Sequence, residues 1–132
     1  MAEKKNEKYI VSELKSPFDA DFEKEYSKWA KRLFFVDGKI TPGAFNFVCS
    51  WYLKPPPQFL DAHEHDYAEM IGFVGSNPDD PYDLGGEIEM WLEDEQYNLT
   101  KSCIIFVPKG MKHCPMKILR VDRPILHFGG SI

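Results

Sequence analysis

The residues best suited to chemistry sit in one short stretch, residues 62–75, AHEHDYAEMIGFVG. On a strand alternate side chains point to opposite faces, so His63 and His65 share one face. Glu69 joins them if the strand runs on that far. Farther along, residues 107–115, VPKGMKHCP, place His113 just beyond a turn marked by Pro108 and Gly110. Three imidazoles and one carboxylate suit a divalent transition metal, which takes such donors from well-fixed backbone. In the competing reading His63 and His65 are solvated residues near a sheet edge, and an isolated His-x-His pair would not decide between the two. Glu69 and the later Pro-x-Gly-x-x-His, at ordered spacing, favour the metal.

Other polar side chains weigh less. His127 becomes a proton-transfer group near the metal if its ring enters the barrel; such a histidine is more often a hydrogen-bonded core or interface residue. Cys114 is expected on the face opposite His113 as a buried, inert thiol, and Tyr67 is expected outside the barrel. Glu87 and Glu89 alternate with Ile88, Met90 and Leu92, which marks a surface strand and not an acid–base pair. Trp91 on that outward face needs cover from the helix or another subunit. Asp79, Asp80, Tyr82 and Asp83 belong to an acidic stretch, residues 76–86, read as a solvated turn in preference to a ligand gate.

These groups need strands to hold them. Residues 9–14 suit a short first strand or an extended arm. A helix is expected over 19–32, where Phe18, Phe22, Tyr26, Trp29 and Leu33 recur at spacings of three and four to make one sheet-packing apolar face. Asp19 or Asp21 can cap its start, and Lys28, Lys31 and Arg32 suit its carbonyl end. Residues 33–36 read as a strand, and 44–54 alternate with Phe45, Phe47, Cys49, Trp51 and Leu53 as the apolar face. The proline triplet at 55–57 ends that ladder and makes an extended link into the histidine stretch. Further strands are expected at 87–92, 97–100, 103–107, 116–121 and 124–128, with 103–107 central because it is apolar on both faces. Many short strands, regular turn signals and one early helix indicate an all-β sandwich or barrel.

With 132 residues the chain is expected to form a single domain, 1–132. Its N-terminal arm, helix and first strands occupy 1–56, and 57–128 is the motif-bearing core. Only the first eight residues, MAEKKNEK, look disordered. A formal charge of -5 argues against a nucleic-acid partner. No apolar run reaches the length of a membrane span and no signal-peptide core opens the chain, so a cytoplasmic protein without a membrane partner is expected. Cys49, Cys103 and Cys114, odd in number and widely spaced, read as reduced thiols. Asn98-Leu99-Thr100 matches a glycosylation acceptor by chance.

The two motifs resemble those of the cupins. The family's first motif runs His-x-His, three or four residues, Glu, then Gly, and His63, His65, Glu69 and Gly75 match it. Its second, Pro-x-Gly-x-x-His, is matched by Pro108, Gly110 and His113, so that the resemblance covers residues 57–128. Pro57 and Ser102 stand where the family often has the opening glycine of each motif, Gly75 comes one residue early, and Lys117 replaces an asparagine. These departures touch turns and framework. The resemblance implies a double-stranded β-helix, a jelly-roll barrel, with one N-terminal helix. It implies one divalent metal (Fe, Mn, Ni, Zn, Co or Cu) on His63, His65, Glu69 and His113, two adjacent positions of a six-coordinate ion being left for water, substrate or dioxygen. It also implies a homodimer.

The function expected is that of a metal-dependent enzyme acting on a small polar organic substrate, of oxygenase, isomerase, epimerase or lyase type, with His127 as the proton carrier. The alternative is a non-catalytic module that binds or senses a small molecule. A third reading, an aromatic-rich interaction scaffold, predicts that His63→Ala and His113→Ala change nothing.

Overall fold

The computed structural model describes residues 4–56 and 62–132. Pro57, at the end of the expected link, and residues 1–3 of the expected disordered tail lie outside the described residues. Within that tail Glu7–Tyr9 form a single 3-10 turn. An arm then leads to α1 (Ala20–Tyr26), whose start is capped by Asp19: its carboxylate accepts from the Phe22 N–H at 2.8 Å.

Eight strands follow: β1 (Ala30–Val36), β2 (Asn46–Tyr52), β3 (Glu69–Gly75), β4 (Asp83–Leu92), β5 (Glu95–Lys101), β6 (Cys103–Val107), β7 (His113–Val121) and β8 (Ile125–Ser131). All pair antiparallel, in a five-stranded sheet of order β1-β2-β8-β3-β6 and a three-stranded sheet of order β5-β4-β7. Phe73 and Ile125 from the first sheet meet Leu84, Ile88, Met90 and Ile118 from the second in one buried core. This is the all-β, two-sheet architecture that the turn and strand signals indicate, and most strand ends fall within a few residues of expectation.

Three expectations need correction. The helix spans seven residues, not 19–32. Its continuation is drawn into the sheet: Ala30 pairs with Tyr52 and is 2% exposed, and the Trp29 carbonyl accepts from the Leu53 and Lys54 N–H groups. So short a helix has little stability of its own to resist a strand ladder. No helix residue is fully buried; Tyr26 packs on Trp29 at 4.7 Å, and the Arg32 guanidinium lies 4.1 Å from the Tyr26 ring centre while its Nε pairs with Glu23 at 2.9 Å.

In β2 the inward parity is the reverse of the expected one. Ser50 and Tyr52 are buried, whereas Phe47 is 43% exposed. In β6, expected at the centre, the strand lies at a sheet edge, and Ile104 and Phe106 are 57% and 60% exposed. Both misreadings share one cause. The outer side of the five-stranded sheet is apolar across its whole width, in the aligned rows Val36–Phe47–Gly130–Met70–Phe106 and Phe34–Cys49–Phe128–Gly72–Ile104. Apolar periodicity alone therefore cannot tell its inside from its outside. Gly72 is there because the Phe128 ring lies flat on it, occupying the place that a Cβ would take.

Candidate metal centre

β3 starts at Glu69, so His63 and His65 are not on the regular strand that the spacing predicts. The second motif holds them instead. His63 and His113 form an isolated antiparallel bridge in which each N–H donates to the other's carbonyl at 2.9 Å. The Gly110 N–H donates to the His65 carbonyl at 2.9 Å, and Gly110 itself sits at φ 81, a turn conformation that favours glycine. The two motifs thus brace each other through backbone.

This pairing brings the four expected ligands together. One donor atom from each of His63, His65, Glu69 and His113 lies within 4.8 Å of all the others. Bonds of about 2.1 Å to one ion would set neighbouring donors about 3 Å apart and opposite ones about 4 Å apart, so the cluster has the right size. His113 is 1% exposed, and its Nδ1–H donates to the Met111 carbonyl at 3.1 Å. That bond fixes the ring and leaves Nε2 with a lone pair aimed inward, the arrangement of metal-ligating histidines. His113 Nε2 lies 2.7 Å from Glu69 Oε1, yet with Nδ1 carrying the proton it has no hydrogen-bond partner. A positive centre between the two atoms, a metal ion or a proton on Nε2, reconciles that contact. With His65 Nε2 only 3.6 Å from the same oxygen, the donor set fits a divalent transition ion.

A cavity of about 470 Å³ opens beside the cluster, and His63, Glu69 and His113 line it. Tyr67, expected outside, also lines it, stacked on His65 at 4.7 Å between ring centres and 9° between planes. Its position, two beyond His65, gives it the parity of the ligands. Cys114 lines the cavity as well, contrary to the expected opposite face, because its φ of 69 breaks the alternation of β7 and turns residues 113 and 114 both inward. Burial, with the Glu69 charge as a lesser cause, pushes its thiol up to about 11. A protonated thiol is a poor nucleophile, and Cys114 stands outside the four-donor cluster.

His127 lines the same cavity from β8. Its ring is stacked between Tyr52 (5.0 Å, 12°) and Phe73 (5.2 Å, 28°), and Nδ1 donates to the Gly72 carbonyl at 3.2 Å. Burial pushes its pKa down to about 4, against the pull of the Gly72 bond and with a smaller contribution from Arg32. The ring is neutral near pH 7, with Nε2 as an acceptor.

The acidic stretch is anchored elsewhere. Asp83 pairs with Arg123 at 2.5 Å, and its carboxyl is held below the usual range first by the Gly85 N–H and then by Arg123. Ser102, in the place of a motif glycine, donates through Oγ to the Pro81 carbonyl at 2.6 Å and accepts from the Gly75 N–H at 2.8 Å. Among the described residues none from 76–86 lines the cavity. Glu87 bonds Arg120 and Asn98, and Glu89 bonds Gln96, in a surface network. Sequence reasoning missed Tyr52 and Gly129 as cavity residues; the polar side of β2 was the available signal for the first.

No protein-family model and no curated protein sequence matches the chain. Among solved structures, a cupin superfamily protein from Desulfitobacterium hafniense aligns with 93% of this chain and 97% of its own, at TM-score 0.52 and 8% identity. A cupin-like protein from Thermotoga maritima aligns with 78% of this chain and 66% of its own, at TM-score 0.50 and 16% identity. Among the described residues no helix is long and apolar enough to cross a membrane. The chain therefore has the cupin fold, with both histidine motifs meeting at one point.

Proposed function

We propose that the chain is a metal-dependent cupin enzyme: His63, His65, Glu69 and His113 hold one divalent transition ion, and an organic substrate enters the adjoining cavity. The observation that carries this reading is the convergence of one donor atom from each of the four side chains to within 4.8 Å of all the others, with the His113 ring held by Met111 and its Nε2 facing Glu69. When bound, the ion supplies Lewis acidity to a substrate carbonyl or hydroxyl oxygen. The protein's own part is to orient the donors and exclude water. His127, neutral and uncharged at Nε2, acts by accepting a hydrogen bond or proton from the substrate. The reaction type follows from the substrate: oxygenase, isomerase, epimerase or lyase chemistry. Turnover of dicarbonyl, sugar-acid and catechol panels by metal-loaded protein tests it. Metal-dependent binding of such compounds without conversion of any would replace the enzyme by the second reading, a binding module. That reading draws on the weak basicity of His127 in an otherwise largely apolar cavity.

The protein works as a homodimer joined through the outer side of the five-stranded sheet. The two apolar rows described above cross five strands, about 19 Å at 4.8 Å per strand, without one charged side chain. A face of that kind is rare on a monomer. Phe106→Glu should turn a dimer into a monomer in sedimentation equilibrium; a wild type that sediments as a monomer rejects the assignment. Three unpaired thiols fit a reducing compartment such as the cytoplasm.

A further inference from the structure

The inner end of the cavity restricts the ligand. β3 and β8 run antiparallel with Glu69 opposite Ser131, Ile71 opposite Gly129 and Phe73 opposite His127. Ser131, Gly129 and His127 therefore form one inward row, with Gly129 between the level of the metal donors and the level of the imidazole. The four residue steps from Glu69 to Phe73 measure about 13 Å of strand. Along this distance the walls are apolar, with Val48, Ile71, Met90 and Met116. Among the described lining residues there is no lysine or arginine, and the carboxylates of Asp37 and Glu69 are the charged groups apart from histidine. Arg32, whose charge reaches His127, is not among the lining residues and is already paired with Glu23 at 2.9 Å, so a second anionic group on a ligand would find no cation lining the cavity.

Gly129 makes the space. A Cβ built on it would meet the Met70 carbonyl oxygen at 3.6 Å and Val48 Cγ1 at 3.7 Å, which are ordinary contacts. The backbone accepts a side chain at this point, and none is present. His127 lies beyond, clamped between two aromatic rings, its Nδ1–H already given to Gly72.

We infer that the cavity takes a ligand with an oxygen-chelating head at the His63–His65–Glu69–His113 cluster, an apolar ring-sized body lying over Gly129, and an uncharged hydrogen-bond donor at its far end received by Nε2 of His127. The inference rests on the metal-centre reading and names its ligand class. Gly129 sets the length of ligand that fits, and His127 selects the tail.

Hydroxamates, whose head chelates divalent metals, supply the probes. Calorimetric titration of Zn(II)-loaded protein with acetohydroxamate, benzohydroxamate and its 4-hydroxy and 4-carboxy derivatives separates head, body and tail. Wild type should bind benzohydroxamate about tenfold tighter than acetohydroxamate, the 4-hydroxy compound tighter still, and the 4-carboxy compound more weakly than the parent. Gly129→Ala should reduce the gain from the ring and Gly129→Val abolish it, with acetohydroxamate and Zn(II) bound as by wild type. His127→Phe should lose the gain from the 4-hydroxyl alone. If wild type takes up no Zn(II), the metal-centre reading falls and this inference with it. If Zn(II) binds but the ring adds nothing, Gly129→Ala keeps the full ring gain, or the carboxylate binds as well as the hydroxyl, this inference alone is overturned.

Discussion

Replacing His127 by Phe keeps an aromatic ring between Tyr52 and Phe73 but removes a group that titrates. In the native protein burial pushes its pKa down to about 4; in the unfolded chain it returns to the ordinary 6.5. The unfolded chain therefore binds a proton near pH 6.5 that the native state refuses until about pH 4, and stability falls as the pH is lowered through this window. Relative to neutral pH the loss from this one residue is about 1 kcal/mol at pH 5.5 and about 2 kcal/mol at pH 4.5. Below the native pKa it levels off near 3 kcal/mol, as a gap of about 2.5 units requires. The assay is urea unfolding of metal-free wild type and His127→Phe at pH 7.0, 5.5 and 4.5. The variant loses the Gly72 hydrogen bond, which lowers its stability by about 1 kcal/mol at every pH. Subtracting the two curves removes that constant, along with the titration of all groups common to both. At pH 4.5 the wild-type midpoint should have fallen relative to the variant's by about 1 M urea. Parallel curves from pH 7.0 to 4.5 would show that the imidazole is not held neutral by burial, and its assigned role as acceptor would go with them.

Two further outcomes probe the surroundings of the site. Gly72→Ala pushes a methyl group into the Phe128 ring and should cost about 1–3 kcal/mol in urea unfolding; a loss below 0.5 kcal/mol would mean that the ring is not seated there. Cys114, with its thiol near 11, has roughly one thiolate in a thousand at pH 8. Mass-spectrometric mapping after iodoacetamide should find it unlabelled until the protein is unfolded, and labelling of the native protein would contradict its placement.

What the sequence made legible was local and polar. His63, His65, Glu69 and His113 were readable as candidate donors because Glu69 and the later Pro-x-Gly-x-x-His joined the His-x-His pair at ordered spacing, and the structure brings all four together. What set His63 and His65 in place was not readable, since it is a backbone bridge to a segment some fifty residues away and not the strand implied by the spacing. The sheet's inside and outside were confused for a physical reason. Phe45, Phe47, Cys49, Trp51 and Leu53 form a more apolar side than the buried one, which carries Ser50 into the interior and Tyr52 to the cavity. An all-apolar β6 likewise read as central when it is an edge whose outer residues continue that face. The helix failed at its C-terminal half because strand pairing at Ala30 outweighs a periodic stripe. Cys114 failed because alternation cannot foresee a positive φ.

The measurement closest to the central claim is metal titration of tag-free protein, followed by calorimetry, for wild type and for His63→Ala, His65→Ala, Glu69→Ala and His113→Ala. Even groups outside the first coordination sphere shift metal affinity by about 10–100-fold, so loss of a direct ligand should weaken Zn(II) or Co(II) binding by at least about 100-fold in each variant. The account predicts one ion per chain in wild type and that loss at all four positions. An affinity unchanged in His113→Ala, or a wild type that binds no ion at all, would contradict it.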